Sequence, residues 1–344
     1  MTDALGTVSL EDVAKEAGVS IMTVSRAFRR PDALSEETLS RVLKAADALG
    51  YLPNQIASGL RSRRSQTVAC VIPTISSPVY ANVVQGIADA ITADGYSLVL
   101  GTSNYGVDEE RRVMRSLLAY RPEAVVLAGG DHRPELTRSL VQLQAPIVEL
   151  WELVPKPLDM NVGFSNYKAG AAIVDHLIQA GSRRIAFMTV KAEHARVRAR
   201  RAAYETAVKN VLGHEPIVVA TDLSIEGGRR AMKRLRLDHP DVDGLFCTSD
   251  SIALGAMLQA AEMGLNVPDE IAIAGFGDFD IARHIPPGLT TVRVPEYRVG
   301  QVAGAMILDR LLGRPEGSPT VDVGFELVTR GSSARQPAKR TRRR

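Results

Sequence analysis

Short β-rich runs alternate with longer amphipathic stretches from residue 67 to residue 328, and this alternation limits the fold more than any other feature. A strand predicted at residues 67–73 is followed by a helix near residues 81–93, and the same order repeats along the chain. Such alternation is typical of parallel sheets covered by helices on both faces. About ten strands are more than one open sheet usually holds. We therefore predict an α/β core of two similar lobes, each built on its own parallel sheet, with a cleft between them.

The composition suits such a core and reveals little about partners. The chain has 344 residues, 45% of them hydrophobic, and a formal net charge of only +3. Cys70 and Cys247 lie far apart in apolar runs, which favours buried thiols over a disulfide or a metal pair. The first residues lack a signal-peptide pattern, and no apolar run reaches the ~20 residues of a membrane span. We expect a cytoplasmic protein without a membrane partner.

The N-terminal region has a different pattern, because residues 10–28 indicate two short helices joined by a tight turn. Ser9 is suited to cap the first helix, with Asp12 at the spacing of a capping box. Gly18 suits a turn with a positive φ, and Ser20 suits the cap of the second helix. This layout predicts a helix-turn-helix, whose second helix offers its N-terminal side chains to the major groove of DNA. A plain helical hairpin is the alternative that geometry alone leaves open.

The outward side of the second helix favours DNA binding. Ile21 and Met22 are apolar side chains that can contact thymine methyl groups, and Arg26 can pair with guanine through two hydrogen bonds. The polar side chains beside them suit further contacts in the groove. The predicted DNA-binding residues of this helix are Ser20, Ile21, Met22, Thr23, Ser25, Arg26 and Arg29.

The segment VSIMTVSR at residues 19–26 resembles the recognition helix of the LacI/GalR family of transcriptional repressors. LGYLPN at residues 49–54 is similar to that family's junction between head and hinge. The resemblance implies a homodimer that binds a near-palindromic double-stranded DNA operator and responds to a small-molecule effector. It also implies a core like that of periplasmic binding proteins, whose chain crosses between the lobes near residues 161–166, 291–294 and 322–325.

Residues 54–65 are short and polar, which by itself indicates a flexible linker. The resemblance implies instead a hinge helix that forms on the operator and inserts Leu60 into the minor groove beside Arg61. On the same basis, Asn54 and Ala57 are expected to contact DNA.

These observations predict an all-α helix-turn-helix head at residues 1–53, a hinge helix at 54–65 and a two-lobed core at 66–333. One lobe is expected at residues 66–162 and 293–323, and the other at residues 163–292 and 324–333. A basic tail at residues 334–344 is expected to be disordered.

The sequence contains no phosphate-binding glycine loop, no nucleophile elbow and no histidines at metal-ligand spacing. We therefore expect a binding protein, not an enzyme, that needs no cofactor and no metal. Ligands of open α/β folds bind beyond the carboxyl ends of strands, so residues after the predicted strands are candidates. With those that the family pattern adds, the effector-binding candidates are Thr74, Tyr80, Glu149, Trp151, Arg196, Arg200, Leu223, Ser249, Asp250 and Asp278.

Arg196 and Arg200 are the most informative candidates, because side chains four residues apart share one face of a helix. The family pattern directs both positions toward the effector, whereas charged residues at a helix start otherwise suit a solvated surface. Two arginines that converge on a cleft suit a carboxylate or a phosphate. The family often has an aspartate for sugar hydroxyls at the position of Gly277, and here Asp278 follows that position.

Three stretches are most similar to the gluconate and 2-ketogluconate repressors of the family: VELWEL at 148–153, LDMNVGFSN at 158–166 and FCTSD at 246–250. This resemblance and the arginine pair predict an anionic sugar acid as the effector. Two alternatives remain open. A sugar-binding uptake receptor would need an export signal and no DNA-binding head, and an α/β enzyme acting on sugar acids would need a catalytic constellation.

Overall fold

The computed structural model describes residues 8–51, 65–191, 194–315 and 317–335. The chain divides into two compact units, Met1–Ser65 and Gln66–Arg344, and each is described by itself. The predicted hinge contacts lie outside the described residues, as does the tail from residue 336 onward. Those hinge residues are Asn54, Ala57, Leu60 and Arg61.

The described part of the N-terminal unit contains the helices α1 (Leu10–Ala17), α2 (Ile21–Arg29) and α3 (Glu36–Leu49). Ser9 and Asp12 form the predicted capping box, in which each side chain accepts a hydrogen bond from the other residue's amide. Gly18 ends α1 at φ +61°, where glycine is free of strain. The Ser20 hydroxyl caps α2 by accepting from the Thr23 amide at 3.1 Å.

Small and β-branched side chains fill the space between these three helices. Val13, Val24 and Val42, one from each helix, are fully buried. The ring of Phe28 packs against that of Tyr51 with 5.7 Å between centroids. These contacts turn the inner face of α2 toward α1 and α3, and they leave its opposite face exposed.

The larger unit contains two parallel sheets, as the alternation predicts. The strands of the first are β1 (Thr67–Ile72), β2 (Ser97–Thr102), β3 (Ala124–Ala128), β4 (Ile147–Glu152), β5 (Met160–Phe164) and β11 (Thr320–Asp322). They lie in the order β11-β5-β4-β3-β1-β2, and every neighbouring pair is parallel. The helices of this first lobe are α4 (Pro78–Thr92), α5 (Val107–Leu118), α6 (Pro134–Leu143) and α11 (Glu296–Leu311).

The second lobe repeats the arrangement on a smaller sheet. Its strands are β6 (Ile185–Val190), β7 (Ile217–Thr221), β8 (Gly244–Cys247) and β9 (Ala272–Ala274). They lie in the parallel order β7-β6-β8-β9. Its helices are α7 (Asn166–Gln179), α8 (Ala195–Ala207), α9 (Ile225–Asp238) and α10 (Asp250–Glu262).

The segments between the lobes differ from the prediction in two places. β5 continues to Phe164 inside the first sheet, so most of the crossing expected at residues 161–166 is strand. β11 adds an edge strand to the first sheet just before the third crossing, and the sequence pattern did not predict this strand. β10 (Thr291–Arg293) and β12 (Glu326–Val328) pair antiparallel and form a small third sheet. Of these short strands only β11 was not predicted, because none of its three residues is fully buried and it carries little hydrophobic pattern.

Arg335 is attached to the second lobe, although we expected the disordered tail to begin at residue 334. Its Nε donates to the Pro268 carbonyl at 3.0 Å, and its guanidinium lies 3.7 Å from the Asp243 carboxylate. These contacts, with the loop after α10 and with the residue that precedes β8, hold Arg335 against the second lobe.

Candidate functional site

The exposed face of α2 carries the side chains that the sequence singled out for reading DNA. Met22 is 71% exposed and Ile21 is 46% exposed, which is unusual for large apolar side chains beside a well-filled core. Arg26 is exposed on the same helix, and Ser25 is half-buried. Apolar groups and an arginine on one open helix face can contact base edges in a major groove.

Three other residues of this region were predicted to contact DNA: Ser20, Thr23 and Arg29. The Thr23 hydroxyl lies 2.9 Å from that of Ser20, so both groups already take part in the helix cap. Arg29 belongs to α2, but its side chain lies outside the described side chains.

A cavity of about 340 Å³ lies between the two lobes at the carboxyl ends of their strands. The first lobe contributes Tyr80, Tyr105 and Trp151, and the second lobe contributes residues that follow β6, β7 and β8. This is the edge at which open α/β folds bind ligands.

Six of the ten predicted effector residues line this cavity, and four do not. The lining residues are Tyr80, Trp151, Arg196, Arg200, Leu223 and Ser249. The residues outside the lining are Thr74, Glu149, Asp250 and Asp278. Four further lining residues were not predicted, although each follows a strand closely enough for the same rule to include it: Tyr105, His194, Phe276 and Glu296.

Arg196 and Arg200 both face the cavity from the start of α8, as their spacing predicts. Arg196 is 7% exposed, and its Nη2 donates to the Tyr80 hydroxyl across the cleft at 3.0 Å. The guanidinium of Arg200 lies 3.4 Å from the ring centroid of Phe276. Such contacts hold an arginine in place while leaving donors for a ligand.

Backbone packing and one amide fix the position of Arg200. A Cβ atom at Gly170 of α7 would lie 3.0 Å from the Arg200 Cα, so glycine permits the close approach of the two helices. Arg200 Nε donates to the Asn166 Oδ1 at 2.8 Å, and its Nη1 donates to the Thr248 carbonyl at 3.1 Å. The Nδ2 of Asn166 donates to Glu152 at 2.8 Å and thereby links that carboxylate to Arg200 indirectly.

The two arginines disfavour each other's charge. Burial, followed by the nearby Arg196, lowers the pKa of Arg200 to about 9. Burial also raises the pKa of Glu152, whose carboxyl is linked to Arg200 through Asn166. A bound anion would interact favourably with both guanidinium groups, because an opposite charge in a poorly solvated site stabilises the charged form.

Aromatic rings form much of the remaining wall. Tyr80 packs edge-on against Trp151 at 5.7 Å, and Tyr105 stacks on His194 at 5.4 Å. Burial and the neighbouring arginines lower the pKa of His194 to about 2, which keeps its imidazole neutral. The Nδ1 of His194 and the Nε1 of Trp151 have no hydrogen-bond partner among the described residues. Both atoms are therefore candidates for polar contacts with a ligand.

Glu149 belongs to a buried cluster inside the first lobe, away from the cavity lining. His132 lies between its carboxylate, at 3.4 Å, and that of Glu110, at 2.8 Å. Burial opposes the charged imidazole, yet hydrogen bonds to the two carboxylates raise the pKa of His132 to about 10. Glu149 also accepts from the Leu158 amide at 2.7 Å. Its carboxylate is thus occupied by the protein itself.

Asp250 is fully buried and also serves the protein itself. Its carboxylate accepts from the Thr291 hydroxyl at 2.6 Å and from the Phe279 amide at 2.8 Å. These bonds tie the start of α10 to β10 and to the loop after β9. Burial raises the pKa of Asp250 to about 6.

Asp278 joins the segments that cross between the lobes. Its carboxylate pairs with Arg293 of β10 and with Arg330, each at 2.6 Å. With both oxygens engaged, its carboxylate has a structural role in this structure. Thr74 likewise takes part in a local turn, because its hydroxyl accepts from the Ser76 amide at 3.1 Å.

Three residues of the first lobe hold the start of α8 against that lobe. Tyr80 and Tyr105 contact Arg196 and His194, respectively. Asp131, which follows β3, accepts from the Ala195 amide at 3.1 Å and pairs with Arg198. His194 supplies no side-chain cap for this helix, so a residue of the other lobe satisfies its first amide.

A helix-turn-helix head and a two-lobed core with a cavity between its lobes define a ligand-responsive DNA-binding regulator. Residues 9–54 match the family described as bacterial regulatory proteins, lacI family, and residues 174–333 match the periplasmic binding protein-like domain. The structure resembles a crystal structure of a LacI-family regulator from Silicibacter pomeroyi, with a TM-score of 0.89 and 31% identity. That comparison covers 95% of this chain and 100% of the other.

Two curated relatives match over nearly their whole length. The regulator GntR of Escherichia coli (strain K12) is 32% identical, over 94% of this chain and 98% of that protein. The regulator IdnR of the same strain is 31% identical, over 93% and 97%. The chain therefore belongs to the LacI family. It is a DNA-binding transcriptional repressor with a ligand-binding core, and its relatives are regulators and not enzymes.

The described residues contain neither a group of metal-ligating side chains nor a helix that could span a membrane. None of their His, Cys, Asp and Glu groupings could hold a metal ion. Their helices are each too short or too polar to cross a membrane.

We predict that Asp131→Ala opens the core. The substitution removes the cap that the first lobe gives α8 and a pairing with Arg198, and the loss of such a cap costs about 1 kcal/mol. Small-angle scattering of the ligand-free protein should show a larger radius of gyration than that of the wild type, with a lower melting temperature.

Asp108→Ala is the matched control, because Asp108 is an exposed acid that pairs with Arg133 within the same lobe. It should leave the radius of gyration unchanged. Equal radii for Asp131→Ala and the wild type would contradict the role assigned to Asp131.

Proposed function

We propose that this repressor binds a sugar acid, such as gluconate or 2-ketogluconate, in the cavity between its lobes, and that the bound acid sets its affinity for the operator. The arginine pair is the observation that supports this most. Arg196 and Arg200 face one cavity, and their hydrogen-bond partners among the described residues are a phenol, an amide and a backbone carbonyl. A carboxylate is a ligand group that can accept hydrogen bonds from two such guanidinium groups.

The other walls suit the remainder of a polyhydroxylated acid. Ser249 and the unpartnered Nε1 of Trp151 offer hydrogen bonds, and aromatic rings offer flat apolar faces. A mostly apolar cavity with a few directed polar groups is typical of small-molecule sites. A phosphorylated sugar would use the same arginines, and titration with matched carboxylate and phosphate ligands distinguishes the two.

The contacts across the cleft offer a route from ligand to DNA. Tyr80 meets Arg196 directly, so a ligand bound between the arginines alters the surface on which the lobes close. An effector shifts an equilibrium only by its differential affinity for the two states. The proposed hinge at residues 54–65 directly precedes β1, and we infer that lobe closure is transmitted there.

At the operator, we propose that Ile21, Met22 and Arg26 contact bases in the major groove. Ser20, Thr23, Ser25 and Arg29 supply supporting contacts, and Leu60 enters the minor groove beside Arg61, with Asn54 and Ala57 nearby. LacI-family repressors act as dimers, so a homodimer on a near-palindromic operator in the cytoplasm is the proposed working form.

We predict that Arg26→Ala weakens operator binding by about tenfold to a hundredfold, since a bidentate contact between arginine and guanine contributes about 1–3 kcal/mol. Mobility shifts on a palindromic operator that the wild type binds measure this change, and effector binding should be unaffected. Arg41→Ala, an exposed arginine on α3, is the control and should retain nearly full operator affinity. Unchanged operator binding by Arg26→Ala would exclude this arginine as a base contact.

We predict the opposite outcome for Arg196→Ala. Calorimetric titration with gluconate and 2-ketogluconate should show at least tenfold weaker binding, because a charged hydrogen bond contributes about 1.5–3 kcal/mol. Operator binding without effector should persist. Arg201→Ala, on the same helix but paired with Glu205, should bind the acid normally. If Arg196→Ala binds the acid as tightly as the wild type, the assignment of the cavity is wrong.

A further inference from the structure

The charged groups that line the cavity are divided between the lobes. Lys191, Arg196 and Arg200 belong to the second lobe, whereas Glu296 is the charged lining residue contributed by the described part of the first lobe. Asp222 of the second lobe also lines the cavity, but it pairs with Lys191 at 3.2 Å and with an arginine of α9. The second-lobe wall of the cavity is therefore positively charged, whereas the first-lobe wall carries an acid.

Glu296 begins α11 directly after the second crossing, and its side chain is half-buried at the cavity wall. It forms no ion pair with the residues that the structure describes. Burial raises the pKa of its carboxyl to about 7, whereas its own amide and the nearby Asn82 side chain favour the ionised form. A carboxyl in a cavity that keeps free acceptor positions is suited to contact a ligand.

Nearby carboxylates do not share this availability. Two arginines engage Asp278, and the hydroxyl of Thr291 and an amide engage Asp250. Glu152 accepts from Asn166, which itself contacts Arg200. Among the acids in the described cavity lining, Glu296 is thus the one whose carboxyl is not engaged by a cationic side chain and can accept hydrogen bonds from a ligand.

Building on the sugar-acid function proposed above, we infer that Glu296 determines which sugar acids bind. Its carboxyl accepts hydrogen bonds from hydroxyl groups of a ligand whose single carboxylate lies at Arg196 and Arg200. The same carboxyl excludes a ligand that carries a second carboxylate at its other end. The site is therefore specific for monocarboxylates with a hydroxylated chain.

The physical reason is the difference between a hydroxyl and a carboxylate as partners of an ionised acid. A hydroxyl donates a hydrogen bond to the carboxylate, whereas a second carboxylate has no proton to donate and is repelled. Water screens this repulsion poorly in a half-buried cavity. Discrimination of this kind requires an unpaired repulsive group in the site, and Glu296 provides it.

The test compares gluconate with glucarate, which has the same six-carbon chain with a carboxylate at both ends. Calorimetric titrations are made at pH 8 on the full-length protein, where a carboxyl with a pKa of about 7 is mostly ionised. The wild type should bind gluconate at least tenfold more tightly than glucarate. In Glu296→Gln, which keeps the shape but not the charge, the ratio should fall to about threefold or less through tighter binding of glucarate.

Glu135→Gln is the matched control, because Glu135 follows a proline in the first turn of α6 on the same lobe but lies outside the cavity. It should retain the wild-type ratio. Operator binding by Glu296→Gln verifies that the variant is folded. A wild type that binds both acids equally, or a Glu296→Gln variant with an unchanged ratio, would refute the inference while leaving the sugar-acid function intact. If the wild type binds neither acid, the sugar-acid function fails and the role of Glu296 fails with it.

Discussion

Repulsion between two guanidinium groups on α8 is the interaction on which the ligand site depends. Arg196 and Arg200 lie four residues apart on a helix start that is largely withdrawn from water, and burial followed by the charge of Arg196 lowers the pKa of Arg200. The protein holds them in place with Tyr80, Asn166 and the ring of Phe276. None of these partners carries a negative charge. The site is thereby organised for an anion before one arrives, and such preorganisation reduces the cost of binding.

The same helix start is also where the lobes meet, which connects ligand binding to conformation. Asp131 of the first lobe caps α8, and Tyr105 of the first lobe stacks on His194. These are single hydrogen bonds, one exposed ion pair and one ring contact, and each contributes only modestly. A closed arrangement held by such weak contacts is one that a ligand can shift, because its differential affinity needs to supply only a few kcal/mol.

The sequence predicted the parts of this protein whose causes are local. Capping at Ser9, the turn at Gly18 and the shared face of Arg196 and Arg200 depend on residues within one or two helical turns. The alternation of strands and helices likewise predicted two parallel sheets, because each period is a local pattern.

The prediction of site residues failed where a partner distant in the sequence decides the role of a side chain. Asp250 and Asp278 follow strands as ligand residues do, yet Thr291 and Arg330 engage their carboxylates from segments about forty or more positions away. In the same way, Glu149 forms an ion pair with His132, and Arg335 forms one with Asp243. Tyr105 and Glu296 follow strands closely, so the local rule for ligand residues could have included both, and they were overlooked.

Trp151 allows the most direct test of the claim that a sugar acid bound between the lobes controls the operator. It is the single tryptophan of the sequence, is 4% exposed and lines the cavity against Tyr80. Its fluorescence is measured while gluconate or 2-ketogluconate is added to the protein with its operator duplex, and operator affinity is followed in parallel. We predict a saturable change in emission whose midpoint coincides with the change in operator affinity. The claim would be contradicted if an acid altered operator affinity while Trp151 emission stayed constant. It would also be contradicted if neither acid changed either signal.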